Sequence, residues 1–263
     1  MLLRRLLACA AASAMVLTGC SDPESEAEPT EVSVEAPEVG ACRQLTAEDI
    51  NNSTDDTDPV DCAEPHTAET FLVSEFTGKA AKSDHDDARL GAQAYKRCQA
   101  QFIEFVGGTE SLVMRSMLTW AWFRPTDEQW EAGARWFRCD VVGGGEQSES
   151  LVELPETAEG VLLGQPDDRW MVCADGETVA GSEKVSCDRP HTWRAVTTIV
   201  LGQPKDPYPG QRLVEVKTRD FCSESVGAWL NYPLEYDYGY TWFHEPEWKA
   251  GNRRSICWAK TDQ

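Results

Sequence analysis

Two five-residue stretches carry the side chains most capable of chemistry. Residues 62–66 read Cys-Ala-Glu-Pro-His and residues 187–191 read Cys-Asp-Arg-Pro-His. An imidazole held beside a cysteine can act as a ligand, a proton shuttle or a partner contact, which makes His66 and His191 candidate binding residues. The other role open to them is structural. Proline fixes the turn, and the histidine hydrogen-bonds the backbone at the entry to a strand, beside a disulfide. Repetition of the position favours this second role, since a duplicated fold keeps whatever the fold needs. One histidine per copy does not make a zinc site, and no two cysteines stand two to four residues apart as zinc-binding pairs do. No metal and no cofactor is therefore expected.

Catalytic constellations are also missing. There is no Gly-x-Ser-x-Gly, no His-Glu-x-x-His and no phosphate loop. Acid pairs such as Asp55-Asp56 and Asp86-Asp87 imitate glycosidase carboxylates, but among 45 acidic residues they carry no information. No catalytic residue is assigned, and a non-enzymatic protein is expected. Trp122, Trp130, Trp242 and Trp248 complete the candidate binding set, because indoles stack on sugars or grip peptides. Most of the tryptophans are expected to fill small cores instead.

The N-terminus sets the compartment. Arg4 and Arg5 precede an apolar run from Leu6 to Leu17, too short for a membrane span, which ends in Leu17-Thr18-Gly19-Cys20. Small residues before the cysteine admit a signal peptidase, and the Cys20 thiol accepts a diacylglyceryl group. Residues 1–19 thus read as a lipoprotein signal peptide, and Cys20 as the lipidated residue. The mature chain is expected to be anchored to the cell membrane by acyl chains, with its folded part on the extracytoplasmic face. Residues 20–38, rich in Glu, Pro, Ser and Ala, read as an acidic tether. Formal net charge is −21, becoming −21 − 2 = −23 once Arg4 and Arg5 leave with the signal. Such a surface repels nucleic acid and anionic head groups, so no nucleic-acid partner is expected.

Setting aside Cys9 and Cys20, the remaining eight of ten cysteines form two sets. These are Cys42, Cys62, Cys98 and Cys139, then Cys173, Cys187, Cys222 and Cys257. In an exported chain they read as disulfides. Three pairings per set are open, and first-with-second, third-with-fourth is favoured because each bridge then joins neighbouring elements. Strand-like runs follow each Pro-His, at Ala68 to Phe76 and Trp193 to Leu201. Next comes a helix, capped by Ser83 and ended by Gly107-Gly108 in the first copy, starting near Pro209 in the second. Its buried stripe is expected to hold Tyr95, Cys98, Phe102 and Phe105, or Cys222, Val226 and Trp229. Thr126 with Gln129 forms a capping box, Pro246 opens the matching turn, and Gly133 and Gly251 suit a C′ position. A last strand runs through Phe137 and Cys139, or Ile256 and Cys257.

The fold expected is α+β: two tandem small modules, each an antiparallel sheet with one packed helix and two disulfides. Module one spans 39–142 and module two 169–262. A linker at 143–168 is read as flexible, with Val161-Leu162-Leu163 able to add a strand.

These landmarks resemble the septum-formation domain family of actinobacterial envelope proteins. Gly40-Ala41-Cys42, Cys62 to His66, Pro125-Thr126, Trp130, Gly133 and Cys139 carry the likeness in module one. Cys187, Pro190, His191, Trp248, Gly251 and Cys257 carry it in module two, where Glu245-Pro246 replaces Pro-Thr and no Gly precedes Cys173 at the matching spacing. The resemblance implies an envelope role near cell division and no defined chemistry. The expectation is a lipid-anchored binding or scaffold protein with an envelope-protein or cell-wall partner. The alternatives are a glycan-binding or glycan-active protein using His66, His191 and nearby carboxylates, and a protein capturing a ligand for a transporter.

Overall fold

Alternating apolar residues after each Pro-His build two antiparallel sheets, one per repeat. The structure is a computed structural model describing residues 32–144, 148 and 150–261. The expectations for the signal peptide, Cys20 and the tether up to residue 31 lie outside the described residues. Residues 32–38 form no helix or strand. Among the described residues no helix is long and apolar enough to cross a membrane.

The first sheet comprises β1 (Cys42–Arg43), β2 (Ala68–Glu75), β3 (Leu118–Phe123) and β4 (Trp136–Gly143), in the order β1-β2-β4-β3. Helices α1 (Ala88–Phe105), α2 (Glu110–Val113) and α3 (Asp127–Glu131) belong to it. The second comprises β5 (Val172–Asp175), β6 (Glu183–Ser186), β7 (Trp193–Val200), β8 (Tyr238–Thr241) and β9 (Arg254–Lys260), in the order β6-β5-β7-β9-β8. Its helices are α4 (Gln211–Trp229) and α5 (Glu245–Ala250). The fold is α+β, with one long helix on each sheet. Disulfides join Cys42 to Cys62, Cys98 to Cys139, Cys173 to Cys187 and Cys222 to Cys257. The second and fourth tie each long helix to its sheet.

The duplication extends to details. β2 and β7 each carry a bulge, at Phe71 and Val196, the fifth residue after the respective histidine. Gly133 and Gly251 follow the short helices at φ 109° and 108°, a region that disfavours side chains. Thr126 and Gln129 form the capping box on α3. In the second copy the His244 backbone N–H donates to Glu247, and Pro246 sits in the first turn of α5.

Three local expectations need correction. Asp87, not Ser83, caps α1 by accepting from the Arg89 N–H; Ser83 instead ends a preceding 3-10 turn. Tyr95 is off the buried stripe, which runs Leu90, Ala94, Cys98, Phe102 at spacings of four, and its ring meets Trp120 edge-on at 5.3 Å. Trp229 is exposed for the same reason: the stripe Val214, Thr218, Cys222, Val226 points on to Leu230.

The segment between the modules is not loose over its described length. Leu154, Ala158 and Leu162 are buried in the first core. The Leu154 N–H donates to His66 O, Gly160 N–H to Phe105 O and Leu162 N–H to Val106 O. Residues 161–163 form turns rather than a strand. Acidic composition hid these contacts, because the apolar residues that dock are few and spaced by carboxylates.

Glu69 is the main clasp on this segment. Its buried carboxylate accepts from the Ala158 N–H (2.7 Å) and the Thr157 hydroxyl (3.0 Å). Burial holds its pKa above the usual carboxylate value, with the Ala158 and Thr157 hydrogen bonds and His66 pulling less strongly the other way. The folded chain therefore holds that proton more tightly than the unfolded chain. The stability Glu69 confers is greatest below about pH 4.3 and falls as pH rises through its raised value. Glu69→Gln should remove this slope. Denaturant unfolding of both proteins at a series of pH values should show the variant gaining on wild type as pH climbs; parallel curves would contradict the assignment.

The modules also dock on each other. Met117 N–H donates to Trp170 O and Val172 N–H to Arg115 O, extending β3 alongside the entry to β5. Arg115 donates to Val196 O at 3.1 Å, Ser111 and Thr198 share a hydroxyl pair at 2.8 Å, and Arg254 pairs with Glu110 at 2.7 Å.

Candidate functional site

The two histidines occupy the same environment. His66 is 1% exposed and His191 4%. Each Nδ1 lies against the carbonyl two residues upstream, Glu64 O at 2.9 Å and Arg189 O at 2.7 Å. An imidazole nitrogen facing a carbonyl must carry the proton, so Nδ1 donates and closes the Pro-His turn. The opposite nitrogen, Nε2, is buried without a hydrogen-bond partner in both copies. Neither ring is presented to solvent, which matches the turn-forming role. Among the described residues no group of three or more His, Cys, Asp or Glu side chains is arranged to hold a metal ion.

The four tryptophans divide into two kinds. Trp130 and Trp248 are buried under an arginine that follows each short helix. The Arg135 guanidinium lies 3.9 Å from the Trp130 ring and Arg253 lies 3.6 Å from Trp248. Each arginine also donates to the carbonyl of its own tryptophan. These are structural clamps. Trp122 and Trp242 are only half-buried, at the ends of β3 and β8.

Those two strands are outermost in their sheets. On each, aromatic side chains recur at every second position: Trp120 and Trp122 on β3, and Tyr238 and Tyr240 on β8 with Trp242 just past its end. Neighbouring rings in the second ladder lie 5.6–6.4 Å apart from Tyr236 to His244. The signal was present in the sequence as Tyr-x-Tyr-x-Tyr-x-Trp-x-His over 236–244, a period of two that marks one face of a strand.

Backbone parity adds a second property to the same residues. In an antiparallel pair, hydrogen-bonded residues alternate with residues whose N–H and C=O point away. Lys260 N–H donates to Asp237 O, so 237, 239 and 241 face β9, leaving Tyr238 and Tyr240 with outward-facing backbone groups. On β3 the Arg124 N–H points outward to Ser53 O, which gives Trp120 and Trp122 the same outward parity. Each edge therefore combines half-buried rings, which pack inward on the core beneath α1 or α4, with outward-facing main-chain groups from the same residues.

A family model described as septum formation matches residues 7–123 and 39–257. No curated protein and no solved structure matches the chain.

Proposed function

The chain belongs to the septum-formation family, and on that footing we propose a lipid-anchored, extracytoplasmic binding or scaffold protein of the cell envelope that serves septum formation. The observation carrying the binding role is the duplicated aromatic edge, β3 and β8, with its outward backbone groups. The Leu17-Thr18-Gly19-Cys20 sequence supports the anchor, and the acidic stretch after it supports a tether holding the modules away from the bilayer. The partner is an envelope protein or a cell-wall component.

A fluorescent fusion that matures outside the cytoplasm tests this in dividing cells. Enrichment at the division site is expected, and a Cys20→Ala version is expected to lose it. Uniform envelope signal from the unaltered fusion would remove the septal role from this chain, and turnover of an envelope substrate would remove the scaffold role.

Cell-wall glycan binding is the second reading, supported by the Trp122 and Trp242 rings, which are half-buried rather than enclosed. Burial of His66 and His191 counts against glycan chemistry at those residues. Incubation with peptidoglycan fragments decides it: neither release nor retention of fragments dismisses the reading.

A further inference from the structure

The four sheet edges are not equally protected. β1 is covered where Cys42 pairs with Val60. β3 is occupied at both ends, by Ser53 O on the Arg124 N–H and by the β5 entry alongside Arg115 to Met117. β6 carries Glu183 and Lys184, charges that discourage another strand. β8 has none of these devices. Its sequence is Tyr-Gly-Tyr-Thr, and no hydrogen bond reaches the outward N–H or C=O of Tyr238 or Tyr240 among the described residues.

A trough of about 600 Å³ runs along this open edge, lined by Glu177, Val179, Trp193, Asp237, Tyr238 and Tyr240, among others. Gly239 lies between the two tyrosines, and a Cβ there would meet Val179 Cγ2 at 2.5 Å. The glycine thus lets Val179 rise against the strand and form an apolar floor on the face opposite the tyrosine rings.

We propose that β8 is a peptide-binding edge, which takes an extended, basic segment of a partner protein as an added antiparallel or parallel strand. This rests on the binding reading above and names its partner class. Main-chain groups of Tyr238 and Tyr240 would pair with alternate residues of the segment, and a ligand without a peptide backbone does not satisfy both donor and acceptor at this two-residue repeat. Side chains of the added strand alternate between the tyrosine ladder and the Val179–Trp193 floor. Lys260, the cation lining the trough, is paired with Asp237 at 3.1 Å, whereas Glu177 is exposed and has no ion-pair partner among the described residues; with a net charge of −21 on the chain, the complementary segment is basic.

The test uses the full chain in detergent and a random-sequence peptide library, followed by N-methylation of the selected peptides. Basic peptides are expected, with affinity lost when every second amide is methylated. Tyr240→Pro removes an outward N–H and leaves the β8–β9 ladder its hydrogen bonds, since proline is tolerated at such edge positions. It should weaken binding about tenfold or more, because a lost hydrogen bond also strands a buried acceptor. Tyr240→Ala, which loses the ring and keeps the N–H, should bind measurably better than Tyr240→Pro. Equal loss in the two variants, insensitivity to N-methylation, or selection of no peptide would overturn the proposal. Self-association abolished by Tyr240→Pro would also overturn it, replacing the partner by a second copy. Failure here with septal enrichment of the fusion intact removes the peptide edge alone and leaves the scaffold reading standing.

Discussion

Replacing Arg138 by Met is expected to destabilise the protein by about 3–5 kcal/mol, because it leaves buried carboxylates without their cation. Arg138 and Asp140 are 2% and 0% exposed, and Arg43 is 4%. Arg138 pairs with Asp140 at 2.9 Å and also with Asp55, whose side chain is equally sheltered. Arg43 donates to Thr70 Oγ1 and Thr57 O, and the Thr70 hydroxyl donates to Asp140 at 2.7 Å. The four charges cancel within one hydrogen-bonded network. Burial still pushes the Asp140 pKa up, against the pull of Arg138, Thr70 and Arg43. Removing Arg138 deletes the group that both carboxylates share, together with its contact over the Phe123 ring at 4.6 Å.

Module two shows what the same positions look like without charge. Aligning the paired cysteines and histidines sets Arg43, Thr70, Arg138 and Asp140 against Ala174, Ala195, Ile256 and Trp258. Those residues form an apolar cluster with Met117, Val172 and Val179. Asp55 has no counterpart, because the first disulfide loop of module two spans 14 residues rather than 20. Exchanging Arg43, Asp55, Arg138 and Asp140 together for Met or Leu should therefore be neutral, or stabilising by up to about 4 kcal/mol. Denaturant unfolding of the single and fourfold variants decides the matter. A fourfold variant as weak as Arg138→Met would mean that the network does more than balance its own desolvation.

How much of this was legible follows from what each feature depends on. The sheets, the long helices and the short capped helices follow from period, capping residues and glycine positions, all local, and the repeat supplied each twice. The disulfide partners followed from neighbouring elements. The tetrad did not show, because charged residues on a strand read as its solvent face until the Cys42–Cys62 loop is folded over them. Docking of residues 150–163 was hidden likewise, since its backbone donors are satisfied by His66 O and Glu69, far away in sequence. Of the binding candidates, Trp122 lies on an outermost strand and Trp242 just past one, while Trp130 and Trp248 lie under arginines. Spacing alone does not separate these cases, because it takes the strand order to say which strand is outermost. The tyrosines of β8 show a period of two in the sequence, which marks one face of a strand but not that the strand is outermost.

Removal of the Cys98–Cys139 bridge, as Cys98→Ala with Cys139→Ala, is expected to cost about 4 kcal/mol from chain entropy for its 41-residue separation. For a chain of this size that lowers the melting temperature by about 10 °C. The bridge fixes α1 to the middle of β4, at the centre of a core holding Phe71, Phe102 and Phe137. Its removal therefore loosens the surface on which residues 154–162 pack, and through Trp170 the contact with module two. Independent beads would show two calorimetric transitions, with only one of them shifted. The shared backbone bonds at Met117 and Val172, the half-buried Arg115 bonded to Val196 O and the Glu110–Arg254 pair argue for coupling. We expect one transition in the wild type, displaced as a whole in the variant. The equivalent change at Cys222 and Cys257, with a separation of 35, should displace the same transition by a similar amount. Separate transitions answering separately to the two pairs would show that the inter-module contacts are too weak to join the folding of the repeats, and that each closes its own core alone.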